Sequence, residues 1–253
     1  MHEATFDPSK QKDMSNIVIH KSENRGKADH GWLKAKHSFS FANYYDSNQM
    51  HFGVLRVLND DIVAPGMGFG THPHDNMEII TIPLEGALEH KDNMGNHGII
   101  KYGDVQVMSA GSGVTHSEFN ASKKDQVKLF QIWLFPNKDN VTPRYDQLTL
   151  DVMDRHNKLQ LIISPEKEKA GLWIHQDAWF SMGTFDSGIK VDYTVKRKEN
   201  GIYAMVVKGK FNINGNEANE RDAVGIWNAN EINIEALTQG AELLLMDVPM
   251  EVN

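Results

Sequence analysis

The chain has 253 residues, 40% hydrophobic and 24% charged, a composition that supports a folded globular protein with a sizeable core. It contains no cysteine, which excludes disulfides, thiolate nucleophiles, iron–sulfur clusters and Cys-based zinc sites; any metal must be held by His and carboxylates. The net charge of -8 argues against direct DNA or RNA binding, which needs a basic face, and no run of about 18 apolar residues reads as a membrane span.

The first 31 residues read as a polar lead-in with one short strand, Asn16–His20, and without the apolar segment of a signal peptide, so a cytoplasmic location is expected. In "KAKHSFSF" the alternation of Ser and Phe around His37 reads as an edge strand, with Phe39 and Phe41 as core residues. Apolar runs closed by Gly, Asn, Asp or Pro follow at Phe52–Asp60, Met77–Gly86, Asp104–Gly111 and Val127–Pro136. The later part supplies Ile189–Val195, Gly201–Gly209, Ala223–Trp227 and Ala241–Pro249. Helix periodicity is weak. Asp146–Ser164 is ambiguous, and Gly171–Phe185 has room for one helical turn.

Short strands at this spacing predict an all-β fold of the barrel or sandwich kind. The two halves repeat one pattern. Each has an apolar strand ended by Gly (Gly86, Gly209), then an acidic turn (Asp104, Asp222), then a last strand closed by Pro (Pro136, Pro249). Two similar β-barrel domains are expected, residues 1–140 and 141–253, with Pro136–Gln147 as the linker.

Within "GFGTHPHDNMEIITIPLEG", His72 and His74 are two residues apart, so on a strand both imidazoles share one face. "SAGSGVTHSEFN" places His116 and Glu118 at the same spacing. Two such inward pairs on neighbouring strands make a site of three imidazoles and one carboxylate inside the first barrel. That donor set suits Fe(II), Ni(II), Cu(II), Mn(II) or Zn(II) and leaves coordination positions open. Counting the same offsets from Gly209 and Asp222 gives Val195, Arg197, Ile234 and Ala236, and no His follows His175, so the second barrel is expected to lack ligands. His90 and His97 read as solvent-exposed turn histidines, and Met67, Met77 and Met108 as core filling. His51 and His175 have no assigned role.

The stretches "HGWLKAKHSFSFANYYD", "FGVLRVLNDDIVAPGMGFGTHPHDNMEIITIPLEGALEHKD" and "GDVQVMSAGSGVTHSEFN" resemble the pirin family, and the second half resembles that family's degenerate second cupin. The resemblance implies a bicupin of two double-stranded β-helix barrels. It also implies one divalent transition metal in the first barrel, Fe(II) foremost, held by His72, His74, His116 and Glu118. It further implies a metal-dependent dioxygenase of the quercetin 2,3-dioxygenase type, which opens a flavonol-like enol with O2 and releases carbon monoxide. Glu118 is expected either to act as base on the substrate hydroxyl or to be a plain ligand with no acid–base role. The alternative is an iron-binding, redox-sensing regulator that acts through protein partners; a non-redox isomerase or zinc hydrolase is a third reading. Expected partners are the small-molecule substrate and O2, with neither nucleic acid nor membrane.

Overall fold

The structure is a computed structural model that describes residues 15–167 and 169–252. The strands of the first part are β1 (Asn16–His20), β2 (Gly26–Asp29), β3 (Leu33–His37), β4 (Leu55–Val63), β5 (Gly68–His74), β6 (Glu78–Glu85), β7 (Ala87–Asp92), β8 (His97–Lys101), β9 (Asp104–Ser109), β10 (Val114–Asn120) and β11 (Val127–Leu134). The second part adds β12 (Arg144–Thr149), β13 (Gln160–Ser164), β14 (Leu172–Trp173), β15 (Trp179–Phe185), β16 (Lys190–Thr194), β17 (Asn200–Lys208), β18 (Lys210–Ile213), β19 (Asn216–Asn219), β20 (Ala223–Trp227), β21 (Glu231–Ala236) and β22 (Ala241–Pro249). Helical turns among the described residues are confined to Ser22–Asn24 and Val152–Arg155. Gly171–Phe185 holds no helical turn and instead carries β14 and β15. Among the described residues no helix is long and apolar enough to cross a membrane.

These strands build two barrels of one design. In the first, a seven-stranded sheet in the order β12-β9-β6-β11-β4-β3-β2 is closed by a four-stranded sheet, β5-β10-β7-β8. In the second, β1-β20-β17-β22-β15-β13-β14 is closed by β16-β21-β18-β19. The halves therefore match strand for strand, and each large sheet ends on a strand from outside its own half. β1 pairs with β20 in the second barrel, and β12, which begins within the segment expected as linker, pairs with β9 in the first. The chain crosses between barrels at both ends of the first one, and Lys21 bonds Asp222 at 2.9 Å beside one crossing.

The largest apolar cluster lies between the barrels. On β6, Ile80 and Ile82 face it, and on β11, Phe130 and Ile132; from the second barrel come Phe180, Tyr203, Met205, Leu244 and Met246. The intervening residues of β6 and β11 point into the first barrel. Burial on both faces explains why these strands read as continuous apolar runs rather than as alternating ones. Contact between the barrels is close enough that a Cβ on Gly53 (φ 54°) would strike the Pro249 carbonyl, which accepts a hydrogen bond from the Val54 N–H at 2.9 Å.

The interiors differ. The second barrel is filled mainly by hydrocarbon, among it Ile202, Val206, Phe211, Ile232, Ile234 and Leu243, with one buried polar group where Asp247 accepts from Tyr193 and Asn200. The first carries Asn59, Asp61, Thr81, Gln106, Glu118 and Gln131 among its buried residues.

Phe130 is fully buried in the inter-barrel cluster. Phe130→Ala is expected to lower unfolding free energy by about 3–5 kcal/mol in urea titration. Lys34→Ala, on the exposed face of β3, should stay within about 0.5 kcal/mol of the parent.

Candidate metal centre

Strand β10 alternates as a half-buried strand should. Val114, His116, Glu118 and Asn120 point inward, while Thr115, Ser117 and Phe119 are more exposed. It pairs antiparallel with β5 so that His116 lies directly opposite His72, and Val114 opposite His74. A bulge between His116 and Glu118 shifts the register, leaving Glu118 opposite Phe69. The strands meet tightly at the next step, where a Cβ on Gly68 would overlap the Glu118 carbonyl. Ring centroids stand 4.5 Å apart for His72 and His116, and 4.9 Å apart for both His72–His74 and His74–His116. One ring nitrogen from each of the three lies within 4.8 Å of the others.

The hydrogen bonds around this triad decide which nitrogens carry protons. His72 Nδ1 sits 2.8 Å from the Gly70 carbonyl, which can only accept, so Nδ1 bears the hydrogen and Nε2 the lone pair. On the other side runs a chain of three groups. Burial works to raise the Asp92 carboxyl, but hydrogen bonds from the Asn96 side chain and backbone and from His90 hold it below its ordinary value. The carboxylate therefore accepts from His90 Nε2 at 3.3 Å. With its hydrogen on Nε2, the His90 ring presents Nδ1 as an acceptor, to which His116 Nδ1, 3.4 Å away, can donate. His116 Nε2 keeps a lone pair, and this atom and His74 Nε2 are both buried without a hydrogen-bond partner. Such backing of an imidazole by a carbonyl or carboxylate is the usual support of a metal-bound histidine.

Burial, then the neighbouring imidazoles His116 and His72, push His74 down to about 4; burial, with His72 and His90, pushes His116 down to about 3. Both rings are thus neutral at pH 7, the form a metal requires. Three converging imidazoles, two of them with orphaned nitrogens, fit a divalent transition ion.

Glu118 is 3% exposed and held by two donors. Gln131 Nε2 reaches Oε2 at 2.7 Å, and the Thr81 hydroxyl reaches Oε1 at 3.3 Å, itself accepting from Gln106 Nε2 at 3.1 Å. A Glu118 oxygen clusters within 4.8 Å with nitrogens of His116 and His90, a group that overlaps the imidazole triad at His116. The triad and Glu118 open on a cavity of about 230 Å³ walled by Leu33, Phe41, Phe69, Ile79 and Trp133. Asp61 also lines it, and burial, with repulsion from Asp60 and Glu118, raises that carboxyl to about 8.

Several surrounding residues differ from expectation. His90, expected in an exposed turn, is fully buried, because β7 extends through Asp92 and pairs its His90 with Glu118. Leu88 and His90 are inward at i and i+2, the same signal that marked the other pairs. His97 is exposed, bonded to Glu89 at 2.8 Å. Tyr145, in the expected linker, stacks on His90 with centroids 4.5 Å apart. Phe41 lines the cavity and Met67 is exposed; neither is simple core. In the second barrel, Ile234 pairs with Val191 and Ile232 with Tyr193, so the counterparts of His72 and His74 are Val191 and Tyr193 rather than Val195 and Arg197. The offset count fails there because the loop from β16 to β17 is longer than that from β5 to β6.

Fold and site together define a bicupin with a cluster of metal-type ligands in its first barrel. The pirin profile matches residues 18–134, and that of the quercetinase C-terminal cupin domain residues 161–248. The chain is 43% identical over 235 residues to quercetin 2,3-dioxygenase of Escherichia coli K12, covering 92% of this chain and 99% of that one. It is 44% identical over 223 residues to a pirin-like protein of Caulobacter vibrioides, covering 88% and 95%. The crystal structure of the bacterial pirin YhhW from E. coli in complex with nickel(II) superposes with a TM-score of 0.88 at 41% identity, covering 94% of this chain and all of that one. The chain belongs to the pirin family.

His116→Ala is expected to abolish metal retention, measured as metal per chain after dialysis. Asp92→Asn, which removes the anchor of the His90–His116 chain, should weaken metal affinity roughly 10- to 100-fold in a competitive chelator titration. Unchanged affinity in Asp92→Asn would contradict the hydrogen-bond chain.

Proposed function

We propose that the chain is a metal-dependent dioxygenase of the quercetin 2,3-dioxygenase type, acting on a flavonol-like enol with O2. The observation that carries this reading is the position of the imidazole lone pairs at the wall of an apolar cavity. A structural metal needs no open side, whereas a catalytic one keeps a position for substrate. The 43% identity to the E. coli quercetin 2,3-dioxygenase supports the same reading.

His72, His74 and His116 would hold the ion through Nε2, with Glu118 as the fourth ligand. Fe(II) is the first choice for this set; Ni(II), the ion in the E. coli pirin complex, and Cu(II), Mn(II) or Zn(II) are accepted by the same donors. When bound, the ion supplies a Lewis acid for the substrate hydroxyl and a centre for O2. The chain does the rest. Phe41, Phe69 and Trp133 offer faces and edges for flat aromatic rings and exclude water. Glu118 takes the proton of the flavonol 3-hydroxyl. Its carboxylate retains free lone pairs beyond those used by Gln131 and Thr81, and these two donors fix its orientation. Burial and the neighbouring imidazoles keep His116 neutral, so it does not compete for that proton.

The test is O2 uptake and carbon monoxide release with quercetin by the metal-loaded chain. One O2 consumed per flavonol, with one carbon monoxide released, is expected; His116→Ala should have no activity. Glu118→Gln should lower kcat by about 10²–10⁴-fold. No O2 uptake with any of the five ions, or full activity in His116→Ala, would overturn the assignment.

A further inference from the structure

Asp61 has no part in the chemistry above, and folding offers no reason for it. It lies on the inward face of β4, two residues from Asn59. Asn59 is satisfied, its Oδ1 2.8 Å from His37 Nδ1. The neighbours directly across from Asp61 are Ala35 on β3 and Leu129 on β11, and neither side chain can hydrogen-bond. Asp61 is 3% exposed, and its Oδ1 is buried without a partner. An unpartnered carboxyl in such a place is costly, while an aliphatic residue would pack with the adjoining Leu33, Ala35 and Leu129 cluster.

A second orphan lies on the same wall. Gln131 spends its Nε2 on Glu118, which leaves Oε1 buried and unpaired. Asp61 and Gln131 both line the cavity, and Asp61 Oδ1 and Gln131 Oε1 are buried without a hydrogen-bond partner among the described residues; an Asp61 held as the neutral acid still offers its carbonyl oxygen as an acceptor. The indole N–H of Trp133, another cavity residue, is unpaired as well. The unmatched groups call for a ligand that carries hydroxyl donors on an aromatic frame.

We propose that Asp61, with Gln131 Oε1, is a specificity-determining subsite that accepts a hydrogen bond from a phenolic hydroxyl of the substrate other than the one placed at the imidazoles. The cavity then selects polyhydroxylated aromatic enols over those with a single hydroxyl, because the analogue without the second hydroxyl leaves buried oxygens unpaired. This rests on the flavonol reading of the site and adds which flavonols it takes.

The experiment measures anaerobic binding of two probes to the nickel(II)-loaded chain by calorimetry. Quercetin has several ring hydroxyls; 3-hydroxyflavone has only the 3-hydroxyl. The wild-type chain should favour quercetin by roughly 10- to 100-fold. Asp61→Leu should reduce that ratio to under about 3-fold, and Asp61→Asn, which keeps an acceptor oxygen, should retain most of it. Asp61→Leu should also melt no lower than wild type, since it removes an unpartnered buried carboxyl. An unchanged ratio in Asp61→Leu, a lower melting temperature, or no binding of either flavonol by the wild type would overturn the subsite. The dioxygenase reading fails separately, through absent O2 uptake, even where the binding preference and its loss are observed.

Discussion

Three imidazoles facing one another at the edge of an apolar cavity are unfavourable as they stand. Two of their nitrogens have no partner, and each such buried orphan costs about 1–3 kcal/mol. A bound cation turns that cost into a stabilising contact, and much of the surrounding structure follows from keeping the lone pairs available. The register that sets His116 opposite His72 aims two of them. The Gly70 carbonyl and the Asp92–His90 chain direct protons to the far nitrogens. Burial keeps His74 and His116 from protonating above about pH 4.

The second barrel shows what the same architecture becomes without that constraint. Where the first has His72 and His116, the second pairs Val191 with Ile234, and its interior is mostly hydrocarbon. It holds the first barrel in place through the large cluster between the seven-stranded sheets and through the exchanged strands β1 and β12. β12 has a direct part in the site, since Tyr145 stacks on the His90 ring that supports His116. A rigid backing of this kind suits a site whose ligands come from short strands and a bulge.

Much of the site was legible in the order of residues. The pairs His72/His74 and His116/Glu118 stand out because a strand has period two; the structure brings the three imidazoles together and sets Glu118 in a second group that shares only His116 with them. The double-barrel repeat was legible through its turn glycines and acidic turns. Other parts depend on which strands become neighbours, which local pattern does not encode. His90 reads as a turn residue until β7 is seen to pair with β10. Tyr145 reads as linker until β12 joins β9. Asp61 follows Asp60 in a polar-looking "NDD", and its burial is visible only once Ala35 and Leu129 are known to flank it. Equal offsets misplace the counterparts of His72 and His74 because loop lengths drift between repeats while strand pairing does not.

The most direct measurement is anomalous diffraction from metal-loaded crystals at the absorption edge of the added ion. A single peak bonded to Nε2 of His72, His74 and His116, with His90 still between His116 and Asp92, is the expected result. A peak elsewhere, ligation through Nδ1 of His116, or no peak beside the three rings would contradict it.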